Sequence, residues 1–469
     1  MGSNGAEPGK LWARSAAPAH AAAIPVTTPQ PTAPPTSGAD DRPRRLPAEL
    51  LVGFTAKTDA DSFVVEERAA VDPTGDGGHV WLWIEKRGVA TEEAAHGLAR
   101  ALGRPPRAAT WAGRKDVHAT TRQWIAVDGA DEAAARALVE LGAGALGAET
   151  GANYVCVLDV RSHPRGLRLG QIRGNQFRLA LDGLDAQGWS TVAAAVAELT
   201  RLGVPAWYGA QRYGHGGRGA RVGLALVRGR LDEFARLLVG DPHPLDYGAV
   251  REARELAAAG DFDGAARRFP GRFALERRAA QALAAGVAPG RLPEQLGRTE
   301  LLFLANAAQS YLFDRVLERR FPHLERLLTG DVAHLHTTRG SFQVEDAAAE
   351  QPRADRFELS PTAPLFGRRL RPKSGGEARA IELEVLAEAG LDEDQFEVPM
   401  GSVRGPWRLE GARRPLRWPL VGASLEPLVG QRAWLSFELP AGAYATEVLA
   451  ELGGTLAPPA VENRRSSGA

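Results

Sequence analysis

The segment Ala112-Gly-Arg-Lys-Asp-Val-His-Ala-Thr-Thr-Arg-Gln123 displays a single carboxylate, that of Asp116, among cationic side chains. Gly113 lets the backbone turn just before the carboxylate, and the β-prone run at residues 124–127 predicts that a strand follows. Nearby cations favour the ionised form of a carboxylate even in a cleft that opposes it. An ionised, partly desolvated carboxylate can act as a nucleophile or as a general base. We therefore predict a functional Asp116 at the mouth of a strand, although the segment taken alone also fits a charged surface loop.

Further short motifs occur in order along the chain and favour the functional interpretation. They are Lys57-x5-Phe63, Gly78-His79, Glu85-Lys86-Arg87-Gly88 with Thr91, Leu169-Gly170-x3-Gly174-Asn175-Gln176-Phe177, and the segments at residues 203–214, 310–313 and 439–446. Together with the Gly-x-Lys-Asp-x-x-Ala-x-Thr-x-Gln pattern that begins at Gly113, this series closely resembles the signature of the TruD family of tRNA pseudouridine synthases. The resemblance extends from about residue 50 to about residue 455, and its small departures, such as Trp207 and Ala443, remove no residue assigned to the chemistry.

The resemblance implies an α+β fold in which a pseudouridine synthase catalytic domain, built on a mixed or antiparallel sheet, is interrupted by a large α+β insertion (TRUD) domain. We expect the catalytic domain at residues 47–202 and 406–455 and the insertion domain at residues 203–405. Residues 1–46 are rich in Ala, Pro, Ser and Thr without apolar periodicity, which predicts a disordered extension. The tail at residues 456–469 is similar in composition and is expected to be disordered as well.

The activity implied by the resemblance is the isomerisation of uridine to pseudouridine in tRNA, at position 13. This reaction breaks the N1–C1′ bond, turns the base and joins C5 to C1′, and it needs no external cofactor. The sequence contains no Walker phosphate-binding loop, no dinucleotide-binding fingerprint and no Cys/His metal spacing. We therefore expect neither a cofactor nor a metal, and tRNA as the partner.

Family resemblance makes Asp116 the catalytic carboxylate, acting either as a nucleophile at the sugar or as a base at C2′; the sequence leaves both routes open. Lys57 resembles the lysine that pairs with this carboxylate. Lys115 is the other candidate partner, but adjacent side chains on an extended backbone point to opposite faces. The residues expected to bind the substrate base are Phe63, Asn175, Phe177 and Phe437, and those expected to contact RNA phosphates are Arg212 and Arg218.

Two other functions remain open at this point. One is a non-catalytic RNA-binding protein on the same fold, which loss of Asp116 or Asn175 would have favoured; both are present. The other is a nucleoside glycosidase that uses Asp116. Such an enzyme needs a second positioned carboxylate, for which Glu66 and Glu67 are the only candidates near Phe63.

Composition bears on partners and compartment. The 57 acidic and 57 basic residues give a formal net charge of zero, which counts mildly against RNA, but arginines cluster without acids at residues 161–178 and 201–221. A single cysteine, Cys156, excludes an intrachain disulfide framework and fits a reducing cytoplasm. The sequence has no apolar run of the roughly 18 residues that a membrane span requires, so we expect a cytoplasmic protein.

Periodicity predicts mixed secondary structure. Strands are expected at residues 80–84, 124–127, 154–160, 177–181 and 434–439, and helices at residues 91–102, 190–202, 231–239, 250–259 and 297–320. Thr91, followed by two glutamates, is typical of an N-cap that opens the first of these helices.

Overall fold

The computed structural model describes residues 42–142, 153–209, 212–396 and 409–457. Contacts divide the chain into two compact units. The first, here called the sheet unit, is formed by Arg44–Pro205 and by the segment that starts at Trp418. The second, here called the inserted unit, runs from Ala206 to Arg417. The division between Pro205 and Ala206 lies three residues after the predicted start of the insertion.

The strands in the described residues are mostly short, and the longest belong to the sheet unit. They are β1 Thr55–Ala56, β2 Phe63–Ala69, β3 His79–Arg87, β4 Ala109–Trp111, β5 Thr120–Asp128, β6 Tyr154–His163, β7 Ile172–Asp182, β8 Val204–Pro205, β9 Val332–Leu335, β10 Ser341–Gln343, β11 Leu359–Leu365, β12 Ala412–Pro415, β13 Arg417–Trp418, β14 Val421–Leu425, β15 Arg432–Pro440 and β16 Thr455–Leu456.

The helices in the described residues are concentrated in the inserted unit. They are α1 Thr91–Ala101, α2 Glu132–Glu140, α3 Ala186–Leu202, α4 Arg218–Val227, α5 Leu231–Val239, α6 Gly248–Ala258, α7 Phe262–Arg268, α8 Ala274–Ala284, α9 Arg298–Arg320, α10 Ala347–Asp355, α11 Gly376–Glu388 and α12 Ala445–Glu451. Short 3-10 helices lie at Ala48–Leu50, Pro106–Ala108, His215–Gly217, Pro289–Gln295 and Glu393–Phe396.

The sheet of the first unit is mixed, with the strand order β14-β15-β7-β2-β5-β3-β6. The pair β2–β5 is parallel and the neighbouring pairs are antiparallel. In the parallel pair, Val64 is the register partner of Thr120, the first residue of β5. The loop that carries Asp116 ends at Thr120, so this register places it beside the start of β2, next to Phe63.

Alternation along these strands puts two apolar cores side by side on one face of the sheet, as the register pairs Val65↔Phe177, Val65↔Thr121 and Leu82↔Ile125 show. One core includes Phe63, Phe177 and Phe437 together with residues of α3 and α12. The other includes Leu82 and Ile125 together with residues of α1 and α2. Helices α1, α2, α3 and α12 therefore pack on this one face, while a smaller cluster with Trp81 and Ala126 lies on the opposite face. Burial of these side chains is the main contribution to the stability of the unit.

The α+β fold class with a mixed sheet, predicted from the sequence, is confirmed. Each predicted strand lies within an observed one, and the predicted helices coincide with α1, α3, α5, α6 and α9 to within a few residues. The N-cap prediction for Thr91 is wrong, because Ala90 is the N-cap and Thr91 is already helical. The Thr91 hydroxyl instead receives a hydrogen bond from the backbone N–H of Lys115 at 3.0 Å, which draws it away from the helix end.

The inserted unit combines helices α4 to α11 with a small sheet in the order β10-β9-β11-β12. The resemblance implied an α+β insertion, and periodicity predicted several of its helices but located none of these strands. Strand β12 pairs antiparallel with β11, from Thr362↔Pro415 to Leu365↔Ala412. Residues 409–417, which the sequence assigned to the second part of the catalytic domain, therefore belong to the inserted unit. The predicted boundary at residues 405–406 lies outside the described residues.

Among the described helices, none combines the length and the apolar character that crossing a bilayer requires.

The first described residues are anchored in the structure. Arg45 donates a hydrogen bond from its backbone N–H to Glu451 Oε2 at 2.8 Å and another from its guanidinium to the Leu202 carbonyl. Leu46 is buried in the core of the sheet unit. Burial raises the pKa of Glu451 to about 7, although the backbone N–H and the charge of Arg45 oppose the shift. Arg45 and Leu46, which composition placed in the N-terminal extension, are thus part of the folded unit.

We expect a protein that starts at Arg42 to melt at the wild-type temperature and one that starts at Pro47 to melt several degrees lower. Losing the burial of Leu46 costs about 1.5–3 kcal/mol, and leaving Glu451 without its donor costs about 1–3 kcal/mol. For a unit of this size each kcal/mol lowers the melting temperature by about 2–4 °C. Calorimetry of the two truncations measures the difference, and equal melting temperatures would contradict the anchoring role of Arg45 and Leu46.

Candidate functional site

Asp116 lies in the loop between β4 and β5, here called the Asp116 loop (residues 112–119). The ammonium of Lys57 donates a hydrogen bond to Asp116 Oδ2, and the backbone N–H of His118 donates to Oδ1 at 2.9 Å. The Asp116 side chain is 40% exposed and that of Lys57 is 20% exposed. Both oxygens therefore have a donor, yet the carboxylate remains open to solvent and to a ligand.

The surroundings keep this carboxylate ionised. Burial alone would raise the pKa of Asp116, but the hydrogen bonds from Lys57 and from the His118 N–H, together with the charges of these residues, outweigh burial and lower the pKa. The side chain is consequently an anion throughout the neutral range, as both the nucleophilic and the general-base routes require.

Hydrogen bonds from neighbouring elements fix the backbone of the Asp116 loop at Gly113, Lys115 and Val117. Gln123 Nε2 donates to the Gly113 carbonyl at 3.0 Å, and Gly88 N donates to the Val117 carbonyl at 3.0 Å. The Thr91 hydroxyl accepts from the Lys115 N–H and donates to Gln123 Oε1, both at 3.0 Å. Because Thr91 and Gln123 are buried, these bonds lie away from competing water and hold the loop in one conformation.

Lys86 is a buried cation directly beneath the Asp116 backbone. Its side chain is inaccessible to solvent, and its ammonium donates to the Asp116 carbonyl at 2.9 Å. Burial lowers the pKa of Lys86 to about 8, against the opposing effect of the Asp116 charge. The lysine is therefore mainly protonated at neutral pH and adds a second positive charge near the carboxylate.

Lys115, the alternative partner of Asp116, points elsewhere. Its ammonium lies 2.8 Å from Glu67 Oε2, and both side chains are buried. Burial raises the pKa of Glu67, an effect that the charge and hydrogen bond of Lys115 only partly offset. This pair ties the Asp116 loop to strand β2 and leaves Lys57 as the cation on the reactive carboxylate.

The backbone of Lys57 adopts the left-handed conformation, with a φ of 61°. For a residue with a Cβ this region costs about 1–2 kcal/mol, and such strain is typical of functional positions. The conformation directs the ammonium onto Asp116 and over the Phe63 ring, whose centroid is 5.0 Å away. Lys57 therefore connects the carboxylate to an aromatic face.

The three predicted aromatic residues form a continuous cluster. Phe63 meets Phe177 edge to face at 6.4 Å, and Phe177 stacks on Phe437 at 5.4 Å. All three are buried, and Phe437 is only 1% exposed, which is the packing of a core residue. The structure thus brings them together, with Phe63 adjoining the Lys57–Asp116 pair, while a contact between Phe437 and a substrate base stays a prediction.

Asn175 lies on the same face of β7 as Phe177 and is the register partner of Glu67 in β2. Its side-chain oxygen is buried and has no hydrogen-bond partner among the described residues. Buried acceptors are nearly always satisfied in folded proteins. An unfilled acceptor beside the aromatic cluster is therefore suited to a donor on a ligand.

The two arginines predicted to contact RNA differ in their surroundings. Arg212 is half-buried, donates to the Ser310 hydroxyl at 3.0 Å and lies over the Tyr208 and Phe303 rings. Arg218 is 9% exposed, pairs with Asp246 at 3.0 Å and donates to three backbone carbonyls. The burial of Arg218 is at odds with the expected phosphate contact, because its charge is already compensated inside the protein.

Lys86, Thr91, Gln123 and Glu67 hold the Asp116 loop, yet sequence reasoning gave them no such role. The first three belong to the quoted motifs, so their spacing was visible, but a spacing does not say which backbone groups a side chain meets. Glu67 was considered only as a second catalytic carboxylate. Among the described residues no group of three or more His, Cys, Asp or Glu side chains is arranged to hold a metal ion.

Comparison with known proteins agrees with these motifs. The family model of tRNA pseudouridine synthase D (TruD) matches residues 51–452. The tRNA pseudouridine synthase D of Syntrophotalea carbinolica is 36% identical over 403 residues, which cover 86% of this chain and 96% of the relative. That of Geobacter sulfurreducens is 39% identical over 422 residues, with 87% and 96% covered.

A solved structure has the same fold. The crystal structure of a protein assigned to tRNA pseudouridine synthase D (TruD) from Methanosarcina mazei superposes with a TM-score of 0.70. The match covers 89% of this chain and 95% of the other at 23% sequence identity.

We expect the variant Lys57→Gly to melt at a higher temperature than Lys57→Ala. Both lose the ammonium and its contacts with Asp116 and Phe63, so the pair isolates the backbone. Glycine relieves about 1–2 kcal/mol of left-handed strain, which exceeds the roughly 0.4–1 kcal/mol by which it loosens the unfolded chain. Scanning calorimetry of the two proteins decides the point, and an alanine variant at least as stable as the glycine variant would show that Lys57 is unstrained.

Proposed function

We propose, since the chain belongs to the TruD family of tRNA pseudouridine synthases, that this protein isomerises uridine to pseudouridine at position 13 of tRNA. The N1–C1′ bond breaks, the uracil turns within the site, and a C5–C1′ bond forms. The proton leaves C5 and N1 gains one, so that atoms and charge balance without an oxidant or a cofactor.

The observation that carries the proposal is the ionised carboxylate of Asp116 on a rigid loop. In either route the first demand on the protein is an anionic oxygen held against the ribose. The charges of Lys57 and Lys86 favour that anion, and the hydrogen bonds to the loop keep it in position. Since fixed groups need no reorganisation during the reaction, such preorganisation lowers the barrier.

The groups around Asp116 suit a pyrimidine base taken out of the RNA stack. Phe63 offers an apolar face next to the carboxylate, and Asn175 offers an unfilled acceptor for a donor such as the uracil N3–H. Enzymes that act on a base in RNA first extrude it and then hold it by stacking and by hydrogen bonds to its edge.

Neither of the two carboxylates that the glycosidase alternative offered near Phe63 is free. Glu67 is buried against Lys115, and Glu66 pairs with Arg68 and Arg122. The non-catalytic alternative has no observation in its favour, because Asp116 and Lys57 are both present and already paired.

The substrate is an RNA, so the protein needs cationic contacts beyond the reacting base. Arg212, which adjoins aromatic rings in the inserted unit, is the predicted residue that retains this role. The implied compartment is the cytoplasm, which fits the single free cysteine, Cys156.

We expect Asp116→Asn to abolish pseudouridine formation in a tRNA transcript while its tRNA affinity stays within about tenfold of wild type, or ~1.4 kcal/mol. The amide keeps the shape of the carboxylate but removes the charge. The measurement is pseudouridine mapping of the transcript after incubation, with a transcript that carries cytidine at position 13 as control.

Three outcomes of that experiment would contradict the proposal. Activity of Asp116→Asn above a few per cent of wild type would remove the carboxylate from the chemistry. Pseudouridine in the control transcript would refute position 13. Release of free uracil would favour the glycosidase, because an isomerase leaves the mass of the RNA unchanged.

A further inference from the structure

The inserted unit contains a cavity of about 470 Å³ that belongs to no site described above except through Arg218, which lines it. Its walls come from α4, α6, α8, α9 and the segments before α6 and α8. Cavities of roughly 300–1,000 Å³ are typical of small-ligand sites. The size therefore fits one planar ring system with its sugar.

The cavity is lined by aromatic side chains that water reaches. Tyr247 is 74% exposed and Phe303 is 55% exposed. Phe273, directly before α8, also lines the cavity. Leu245, half exposed, adds to the same lining. Clustering of exposed aromatic and apolar groups on one concavity marks a binding site, and flat rings favour a ligand that stacks.

Arg254 lines this cavity and has a donor without a hydrogen bond. It is 2% exposed, and its Nη1 donates to the Leu238 carbonyl at 2.9 Å. Its Nε lies 3.3 Å from Asp246 Oδ2 without forming a hydrogen bond. This Nε atom has no hydrogen-bond partner among the described residues. A buried guanidinium seldom leaves a donor unused.

Glu276 supplies an acceptor next to these donors. Its Oε1 lies 3.8 Å from Arg254 Nη2, which is beyond hydrogen-bond distance. Burial raises the pKa of Glu276, with its own backbone N–H and the Arg254 charge opposing the shift. No other side chain of the described residues donates to this carboxylate, so a ligand that brings donors would complete it.

We propose that this cavity binds a guanine base. Guanine presents two adjacent donors, N1–H and the N2 amino group, that match the Glu276 carboxylate, and acceptors at O6 and N7 that match the Arg254 guanidinium. Arginine bonded to O6 and N7 is the commonest specific contact to guanine. Adenine has no N1 proton and carries a donor at position 6, so it leaves both protein groups incompletely satisfied.

Arg272 extends the site toward a phosphate. It is exposed, lies 5.2 Å from the Phe273 ring centroid, and makes no ion pair within the described part of the chain. An unpaired cation at the mouth of the cavity suits the phosphate attached to a bound guanosine. The site therefore offers contacts to both the base and the attached phosphate.

The proposal rests on the proposed function for the source of the base, which is a guanosine of the tRNA substrate outside the reacting uridine. Single-stranded RNA is recognised in general by splayed bases that stack on aromatic rings. A free guanine nucleotide shares the same chemistry and is the alternative source.

In the first experiment the full-length protein is titrated with GMP, IMP and AMP, and binding is measured by calorimetry or by ligand NMR. We expect GMP to bind at least tenfold more tightly than AMP, or about 1.4 kcal/mol. IMP, which lacks the N2 amino group, should bind between them. Glu276→Gln and Tyr247→Ala should each weaken GMP binding at least fivefold, whereas Leu383→Ala, an exposed apolar position of α11 away from the cavity, should not.

The second arm uses the tRNA transcript. If the base comes from tRNA, Glu276→Gln and Tyr247→Ala raise the KM for tRNA severalfold and leave kcat unchanged. If the two substitutions weaken GMP binding but leave the KM for tRNA unchanged, the site binds a free guanine nucleotide. Equal affinity for GMP and AMP, no GMP binding, or unaltered GMP binding by Glu276→Gln would each overturn the guanine site.

The two proposals fail in different ways. A wild-type protein that forms pseudouridine but does not select GMP refutes the guanine site and leaves the enzyme function intact. A wild-type protein that selects GMP but forms no pseudouridine refutes the enzyme function and leaves the guanine site intact.

Discussion

The structure around the candidate site depends on the buried hydrogen bonds that hold the Asp116 loop. Thr91, Gln123 and Lys86 reach the loop from a helix and two strands, and each bonds to its backbone rather than to a side chain. Backbone bonds of this kind set the position of Asp116 whichever side chain it carries. Their burial gives them their strength, because in a dry interior an unmade bond costs about 1–3 kcal/mol.

Lys57 then adds charge to a position that is already fixed. Among the described non-glycine residues of the sheet unit, only Lys57 bears the cost of a left-handed backbone, and there the ammonium contacts the carboxylate and the Phe63 ring. The unfilled acceptor of Asn175 is a second cost of the same kind. A strained backbone and an unsatisfied acceptor beside the same carboxylate are typical of a site optimised for a ligand rather than for stability.

Periodicity predicted most of the long elements, and the family resemblance implied the α+β fold and the meeting of Lys57, Phe63 and Asp116. These features are local, or they follow from a pattern that the chain displays directly. The hydrogen-bond or ion-pair partner of each polar side chain could not be predicted. Thr91 looks like a helix cap by composition, and only the pairing of β3, the strand before α1, with β5 brings it to the loop. Arg218 looks like a phosphate contact, but Asp246 lies 28 residues away in sequence and neutralises it in the interior. Long-range ion pairs of this kind, such as Arg413–Glu382 at 2.9 Å, also explain why arginine clusters in a sequence overstate the free positive charge.

The most direct test of the account is the single-turnover rate of tritium release from tRNA that carries [5-³H]uridine, for wild type and Thr91→Val. Valine keeps the shape of threonine but removes the hydroxyl that joins Lys115 to Gln123, and it touches neither Asp116 nor the substrate. The account predicts a rate at least tenfold lower, or ~1.4 kcal/mol in the barrier, with unchanged tRNA affinity. A wild-type rate in Thr91→Val would show that the buried hydrogen bonds do not control the chemistry at Asp116.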